Sequence, residues 1–220
     1  MRAVLLLMLP ILLLAGAPTR AGADCGGTAP AISVTAREQE LKQDQALSIA
    51  DLTRRAGTEG PNSYVLGLTE SEVSASTRYE VLVSTEGDGV FCASFRAITV
   101  TLQLAMRVHI ASELKAGSCL YKAALQHEQG HVIVERKMLP RARARVAVVL
   151  TGVAHRTETS SDAGIAQRSL QASADAAIQQ AMGELAAQKK RQQQALDTPD
   201  EYRRVSQACG SAALRAVTQH

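Results

Sequence analysis

Two spacings of apolar residues divide the chain into a half that predicts strands and a half that predicts helices. Between Ile32 and Ile110 apolar residues mostly alternate with polar ones, which is the pattern of strands with one buried face. The alternation is clearest from Ile98 onward, where every second residue is apolar. We expect a long strand there, or two strands around a bend. After Ser118 the apolar residues recur every three or four positions, as on one side of a helix.

The helical half contains its own start and stop signals. Pro140 is expected to kink or end the helix that follows Ser118, with Ala142 to Val153 continuing as another helix. Thr198 to Glu201 is a capping box with proline at the first helical position, and it opens a short last helix. The other expected elements are strands at 32–35, 64–68 and 79–83, a helix at 47–56, a turn at 86–89 and a long helix at 160–194.

A sheet-forming half followed by a helical half is the order of an α+β fold. We expect a mainly strand region at 24–112, with an antiparallel or mixed sheet, and a mainly helical region at 116–212. At 220 residues in total, the length favours a single compact domain over residues 24–220.

The first 23 residues have the features of a signal peptide. Arg2 precedes an apolar run from Val4 to Ala17, and small residues follow at the expected cleavage site after Ala23. The alternative is a helix retained as an anchor, although the run is short for a membrane span and contains a proline. No later segment approaches a span, so we predict export to the bacterial periplasm or the extracellular space.

Four cysteines in the exported part favour two disulfide bonds. Three pairings are open, and we favour Cys92–Cys119 with Cys25–Cys209, because the second bond would tie both ends of the mature chain. No C-x-x-C is present, which argues against a thiolate zinc site or a thioredoxin-like centre.

Composition excludes nucleic acid as a partner. The chain has 24 basic residues against 21 acidic ones, and two of the basic residues lie in the predicted signal peptide. Aromatic residues make up 3% of the chain, with no tryptophan. The chain therefore has neither a basic face nor the aromatic side chains on which bases stack.

The segment His127-Glu128-Gln129-Gly130-His131 places two histidines four positions apart on an expected helix. Side chains at that spacing project from one side, about 6 Å apart along the axis, so both imidazoles can bind one ion. Glu128 lies about 100° around the helix from His127, near enough to reach a water on that ion. The spacing therefore predicts Zn2+ bound by His127 and His131, with Glu128 as general base.

This motif resembles the zinc-binding helix of the zincin metallopeptidases. It is also similar to a bacterial family of domains of unknown function that are predicted secreted zinc-dependent proteases. The similarity covers residues 119–138 closely and residues 198–204 (TPDEYRR) more loosely. It implies an exported zinc-dependent metallohydrolase, a peptidase acting on a peptide or protein, with His127 and His131 as ligands and Glu128 as base. The third-ligand patterns of metzincins and of thermolysin-like enzymes are absent.

Glu135 is the leading candidate for the third ligand, because it extends the series 127, 131, 135. A straight helix carries it about 12 Å from His127 and about 80° around the axis, which strains direct coordination. It could instead hold the ring of His131 as an outer carboxylate, or pair with Arg136 or Lys137. The other candidates for the third ligand are Glu158, Asp162, Asp175, Glu184 and His155.

Several further assignments stay open. His109 could reach the site from the end of the long strand, and Tyr121 or Tyr202 could stabilise an oxyanion, although solvation and packing are the simpler roles. The strand at 98–110 could be an edge strand that pairs with substrate, or an ordinary inner strand. The alternative to an enzyme is a non-enzymatic envelope protein, a binding or adaptor module with a structural metal or none.

Overall fold

The structure is a computed structural model that describes Cys25, residues 28–58 and residues 64–218. It confirms the predicted α+β class, with strands first and helices after them. The predicted signal peptide, 1–23, lies outside the described residues. The strands are β1 Ala31–Glu38, β2 Lys42–Asp44, β3 Gly67–Glu86, β4 Val90–Ile110 and β5 Thr157–Ser160, and the helices are α1 Ile49–Ala56, α2 Cys119–Val153, α3 Ala163–Gln194, α4 Pro199–Gln207 and α5 Ser211–Thr218.

The strand β4 is the centre of a mixed sheet, because each of the other four strands pairs with it. On one side β1 and β2 run parallel to it, and β5 runs antiparallel. On the other side β3 runs antiparallel along its whole length, as the second arm of a hairpin. The segment 98–110 is therefore an inner strand. Within the described residues β3 pairs with no strand but β4, so β3 forms one edge of the sheet, and β1, β2 and β5 form the other.

The alternation that predicted the long strand is confirmed by its burial. Every second residue of β4 from Ile98 to Ile110 is buried, while Thr99, Gln103 and Arg107 between them are exposed. The buried side chains belong to one core with residues of α2 and α3. Burying one such Leu, Ile or Val side chain contributes about 1.5–3 kcal/mol, so this face of the sheet holds both long helices in place.

The helix α2 is 35 residues long and continues without a break through Pro140. The prediction that Ala142 to Val153 forms another helix was therefore wrong. Proline removes one backbone hydrogen bond from the helix interior, but buried residues lie on both sides of it, among them Leu139 before and Val146 after. Their packing on one core outweighs the local loss.

Three elements were not predicted. The strands β2 (KQD) and β5 (TETS) contain no apolar alternation, and their pairing with β4 comes from tertiary contacts. The last helix, α5, lies beyond the expected end of the helical region, and none of its described residues is buried. The strand β3 starts at Gly67 rather than at Tyr64, and it is one continuous strand where two strands, 64–68 and 79–83, were predicted.

Both disulfide bonds differ from the predicted pairing, although two bonds form as expected. Cys25 bonds to Cys92, and Cys119 bonds to Cys209. The prediction assumed that the first and last cysteines tie the chain ends together. Instead, Cys25 precedes β1, which lies along β4 near Cys92, while Cys119 starts α2 next to the segment after α4.

Two observations bear on location. The two disulfide bonds are consistent with an exported protein. Among the described residues, none of the helices combines the length and the apolar composition that crossing a membrane requires.

Candidate metal centre

His127 and His131 lie one turn apart on α2, whose N-terminus is capped by Ser118. The Ser118 hydroxyl accepts a hydrogen bond from the backbone N–H of Tyr121 at 3.3 Å. The two imidazole rings meet edge to face, with centroids 4.8 Å apart. Their Nε2 atoms are 3.1 Å apart. Both rings therefore turn the same nitrogen toward one point, as the four-residue spacing predicts.

Asp197 completes the group from the turn between α3 and α4. Its Oδ1 atom lies 3.2 Å from His127 Nε2 and 3.0 Å from His131 Nε2. The turn is held by the N–H groups of Leu196 and Asp197, which both donate to the carbonyl of Gln193. In the part of the chain that the structure describes, this is the one group of three His, Cys, Asp or Glu side chains whose ligand atoms converge in this way.

The geometry of the three atoms fits a tetrahedral metal ion. They form a nearly equilateral triangle with edges of 3.0–3.2 Å. In a tetrahedral zinc site with bonds of about 2.0–2.1 Å, the ligand atoms are about 3.3 Å apart. Two imidazole nitrogens and one carboxylate oxygen also match the three-ligand sets of catalytic zinc, whereas Ca2+ and Mg2+ prefer oxygen ligands.

The electrostatics of the group favour positive charge between the three side chains. Burial alone would lower the pKa of His131, but hydrogen bonds with Asp197 and Gln193 outweigh it and raise the pKa to about 9. Burial alone would also lower the pKa of His127, but the hydrogen bond with Asp197, the charge of Glu128 and the hydrogen bond with Glu201 together raise it. Burial alone would raise the pKa of Asp197, but hydrogen bonds from both histidines hold it well below its usual range.

Each histidine has a second partner at its Nδ1 atom. His127 Nδ1 lies 3.3 Å from Oε1 of Glu201, on α4. The Arg204 guanidinium and, after it, His127 lower the pKa of Glu201 to about 2, so this carboxylate is an anion. His131 Nδ1 is in short contact with the side-chain oxygen of Gln193. Partners at this position fix the orientation of metal-binding imidazoles.

Glu128 lies on α2, and its side chain packs against the start of β3, with 4% of the residue exposed. The Thr69 hydroxyl donates to its Oε2 at 2.7 Å. Burial raises the pKa of Glu128, and the hydrogen bond from Thr69 and the charge of His131 offset this only in part. A Cβ atom added to Gly67 would lie 2.7 Å from Cγ of Glu128. Glycine at position 67 therefore leaves the space that this side chain occupies.

Tyr202, on α4, borders the same group. Its ring centroid lies 6.0 Å from that of His127. Burial, followed by the charges of Asp197 and Glu128, raises its pKa to about 12. Tyr202 is therefore a neutral O–H donor at ordinary pH. Tyr121 does something else, because its hydroxyl accepts a hydrogen bond from Gln43 at 2.8 Å.

Glu135 is not part of the converging group. It is 2% exposed and lies one turn beyond His131, against β3 and α3. Its Oε1 atom accepts hydrogen bonds from Ser71 at 2.6 Å and from Gln193 at 2.9 Å, and lies 3.3 Å from the Lys189 ammonium. The structure thus places Gln193 between Glu135 and His131.

The other residues considered as third ligands also lie outside the converging group. Asp162 caps α3 by accepting from the Ile165 N–H, and Glu184 pairs with Arg145. Asp175 accepts from the Tyr79 hydroxyl. Glu158 lies in β5, and His155 is exposed after α2. His109 belongs to a separate cluster with Asp44 and Glu70.

Asp197 is the member of the converging group that the sequence did not single out. It stands one position before the capping box that starts at Thr198, and no predicted motif includes it. A weak signal was present, because the loose similarity over 198–204 began at the next residue. Only the packing of α3 beside α2 brings this carboxylate to the histidines.

Comparisons of the chain with protein-family models, with curated proteins and with solved structures found no significant match.

Proposed function

We propose that this chain is an exported zinc-dependent metallohydrolase, and that it acts as a peptidase. The observation that carries the proposal is the convergence of His127 Nε2, His131 Nε2 and Asp197 Oδ1 within 3.2 Å of one another. Glu128, the next residue after the first histidine, is a buried carboxylate on the same helix. The motif's resemblance to the zincin metallopeptidases and the two disulfide bonds support the peptidase and the export parts of the proposal.

The proposed roles follow from the position and charge of each side chain. A zinc ion bound by His127, His131 and Asp197 would acidify a water molecule and polarise a carbonyl group. Glu128 accepts the proton of the attacking water and returns it to the leaving amine, and its raised pKa makes it a better proton acceptor. Thr69 holds one of its oxygens and so directs the carboxylate.

Tyr202 has a role in the same proposal. Its neutral hydroxyl is a donor at the rim of the group, and 43% of the residue is exposed. A substrate can therefore reach it. It would donate a hydrogen bond to the oxygen that gains negative charge as the carbonyl is attacked.

Metal content tests the first part of the proposal. The purified chain from Asp24 onward should contain stoichiometric zinc by elemental analysis after dialysis against metal-free buffer. A folded wild-type protein that takes up no zinc, even when zinc is added, would contradict the proposal and favour a binding module.

The Glu128→Gln variant tests the catalytic part, because glutamine keeps the shape and cannot accept the proton. We expect it to retain zinc while hydrolysis of an unfolded protein or a fluorogenic peptide mixture falls by about 10²–10⁴. Glu72→Gln, an exposed position on β3, is the matched control and should keep full activity. Full activity in the Glu128→Gln variant would show the mechanism to be wrong, and a zinc-loaded wild type that hydrolyses nothing would indicate a structural metal.

A further inference from the structure

Glu135 is a buried carboxylate that the proposed reaction does not use. Three donors surround its Oε1 atom, which are the Ser71 hydroxyl, the Gln193 amide and the Lys189 ammonium. Its Oε2 atom is buried and has no hydrogen-bond partner within the described residues. A buried carboxylate is costly unless it is well paired, so a residue held in this way calls for an explanation other than stability.

The contacts of Gln193 supply that explanation. Its Nε2 atom donates to Glu135 Oε1 at 2.9 Å and to the backbone carbonyl of His131 at 3.4 Å. Both neighbours are acceptors only, so the amide nitrogen must face them. The amide oxygen must then face His131 Nδ1, with which it makes a short contact.

The orientation of the amide determines the state of the ring. Because the oxygen of Gln193 can only accept, His131 Nδ1 has to carry a hydrogen atom. The unprotonated nitrogen of the neutral ring is then Nε2, the atom that lies 3.1 Å from His127 Nε2 and 3.0 Å from Asp197 Oδ1. Reversing the amide would place its N–H groups at Nδ1 and move the ring hydrogen to the side of the metal.

We propose that Glu135 is a positioning residue that acts through Gln193, by holding the amide in the orientation that makes His131 offer Nε2 to the metal. This inference rests on the proposed metal centre. His127 obtains the same result in a simpler way, since Glu201 faces its Nδ1 atom directly. The carboxylate of Glu135 thus acts on the His131 ring indirectly, through the Gln193 amide that lies between them.

A double-mutant cycle on zinc affinity tests this inference. With Gln193 present, Glu135→Gln lets the amide turn, and we expect zinc to bind roughly tenfold to a hundredfold more weakly, the usual cost of losing an outer partner. Gln193→Leu should cost a similar factor. The double variant should bind zinc as Gln193→Leu does, because Glu135 has nothing left to orient. Gln194→Leu, at the next and exposed position of α3, should bind zinc as the wild type does.

Nitrogen-15 NMR of the zinc-bound protein provides a readout that a purely structural role would not change. We expect a protonated, slowly exchanging His131 Nδ1 in the wild type, and loss of that signal in Glu135→Gln while the rest of the spectrum stays folded. Additive effects in the cycle, or an unchanged Nδ1 signal, would overturn the inference. A wild type without zinc overturns the metal centre and the inference together, whereas a zinc-loaded but inactive wild type overturns only the proposed hydrolase.

Discussion

Two clusters of histidine and carboxylate lie on opposite faces of the strand β3, and only one of them has ligand atoms that converge on a point. Alternation along β3 turns Thr69 and Ser71 toward α2, where they hold Glu128 and Glu135. Glu70, between them, turns to the other face and meets His109. One strand therefore contributes to both clusters.

The clusters differ in how the ring nitrogens are used. In the His109 cluster Nδ1 lies 2.8 Å from Asp44 and Nε2 lies 3.2 Å from Glu70, so the two carboxylates occupy opposite ends of one ring. In the candidate metal centre, the rings of His127 and His131 and the carboxylate of Asp197 point three ligand atoms toward one another. A histidine beside acidic residues is thus not by itself a metal site. What matters is whether the lone pairs meet.

The largest expected effect separates the two clusters by metal content. We expect the double variant His127→Ala/His131→Ala to lose its zinc completely, because the only nitrogen ligands of the group are gone. His109→Asn should keep stoichiometric zinc and lose about 1–3 kcal/mol of stability, since it leaves carboxylates without their buried partner. Elemental analysis and denaturant unfolding measure both quantities. Loss of zinc in His109→Asn would break the comparison.

A second pair of variants compares the carboxylates. Asp197→Asn replaces an anionic ligand with a neutral one, and zinc affinity should fall by at least about ten- to a hundredfold. Asp44→Asn makes the same chemical change in the other cluster and should leave zinc affinity unaltered. Competition titration with a chelating dye measures both. Equal affinities for Asp197→Asn and the wild type would remove Asp197 from the site.

Gly67→Ala tests the close approach of β3 to Glu128. The added methyl group would displace the carboxylate, and a shift of about 1 Å in a catalytic group can cost on the order of 10² in rate. Zinc content should not change, because the metal ligands are not touched. Gly183→Ala, where a Cβ meets no atom within 4 Å, is the control. Undiminished hydrolysis by Gly67→Ala would show that Glu128 has room to move.

The smallest expected effect is a pH dependence of the metal-free protein. Burial lowers the pKa of His131, but Asp197, Gln193 and Glu128 together outweigh it and raise the pKa from 6.5 to about 9. The folded state therefore holds this proton more tightly, and the stability it provides is complete below pH 6.5 and lost as pH rises through about 9. Thermal unfolding in a chelator should show this decline in the wild type and a weaker one in Asp197→Asn. The same slope in both would assign the decline to other groups.

The parts of the site that the sequence predicted are those encoded locally. His127, Glu128 and His131 lie within five residues, so helix geometry alone predicts that the two rings approach each other. Asp197 is 66 residues beyond His131, and its position depends on how α3 packs along α2. No spacing rule reaches that far. The periodicity correctly placed Glu135 on the buried side of the helix. The side-chain amide of Gln193, from α3, lies between Glu135 and the His131 ring.

The same distinction applies to the fold. The strand β4 could be predicted from the sequence, because the alternation of apolar and polar residues is a property of the strand itself. The short strands β2 and β5 were not, since they form by adding backbone hydrogen bonds to a strand that already exists. Pro140 shows the reverse case, in which a strong local signal yields to the burial of apolar residues on both sides of it.

The disulfide bond between Cys119 and Cys209 bears on how His127, His131 and Asp197 come together. It joins the start of the helix that carries both histidines to the segment directly after α4, which follows Asp197. In the proposed metal site, disulfide formation and metal binding would therefore restrict the same two stretches of backbone, and whichever comes first would reduce the conformational entropy that the other must overcome. Because such coupling is reciprocal, the ion should protect the sulfur–sulfur bond from reductants by the same factor by which that bond tightens the ion.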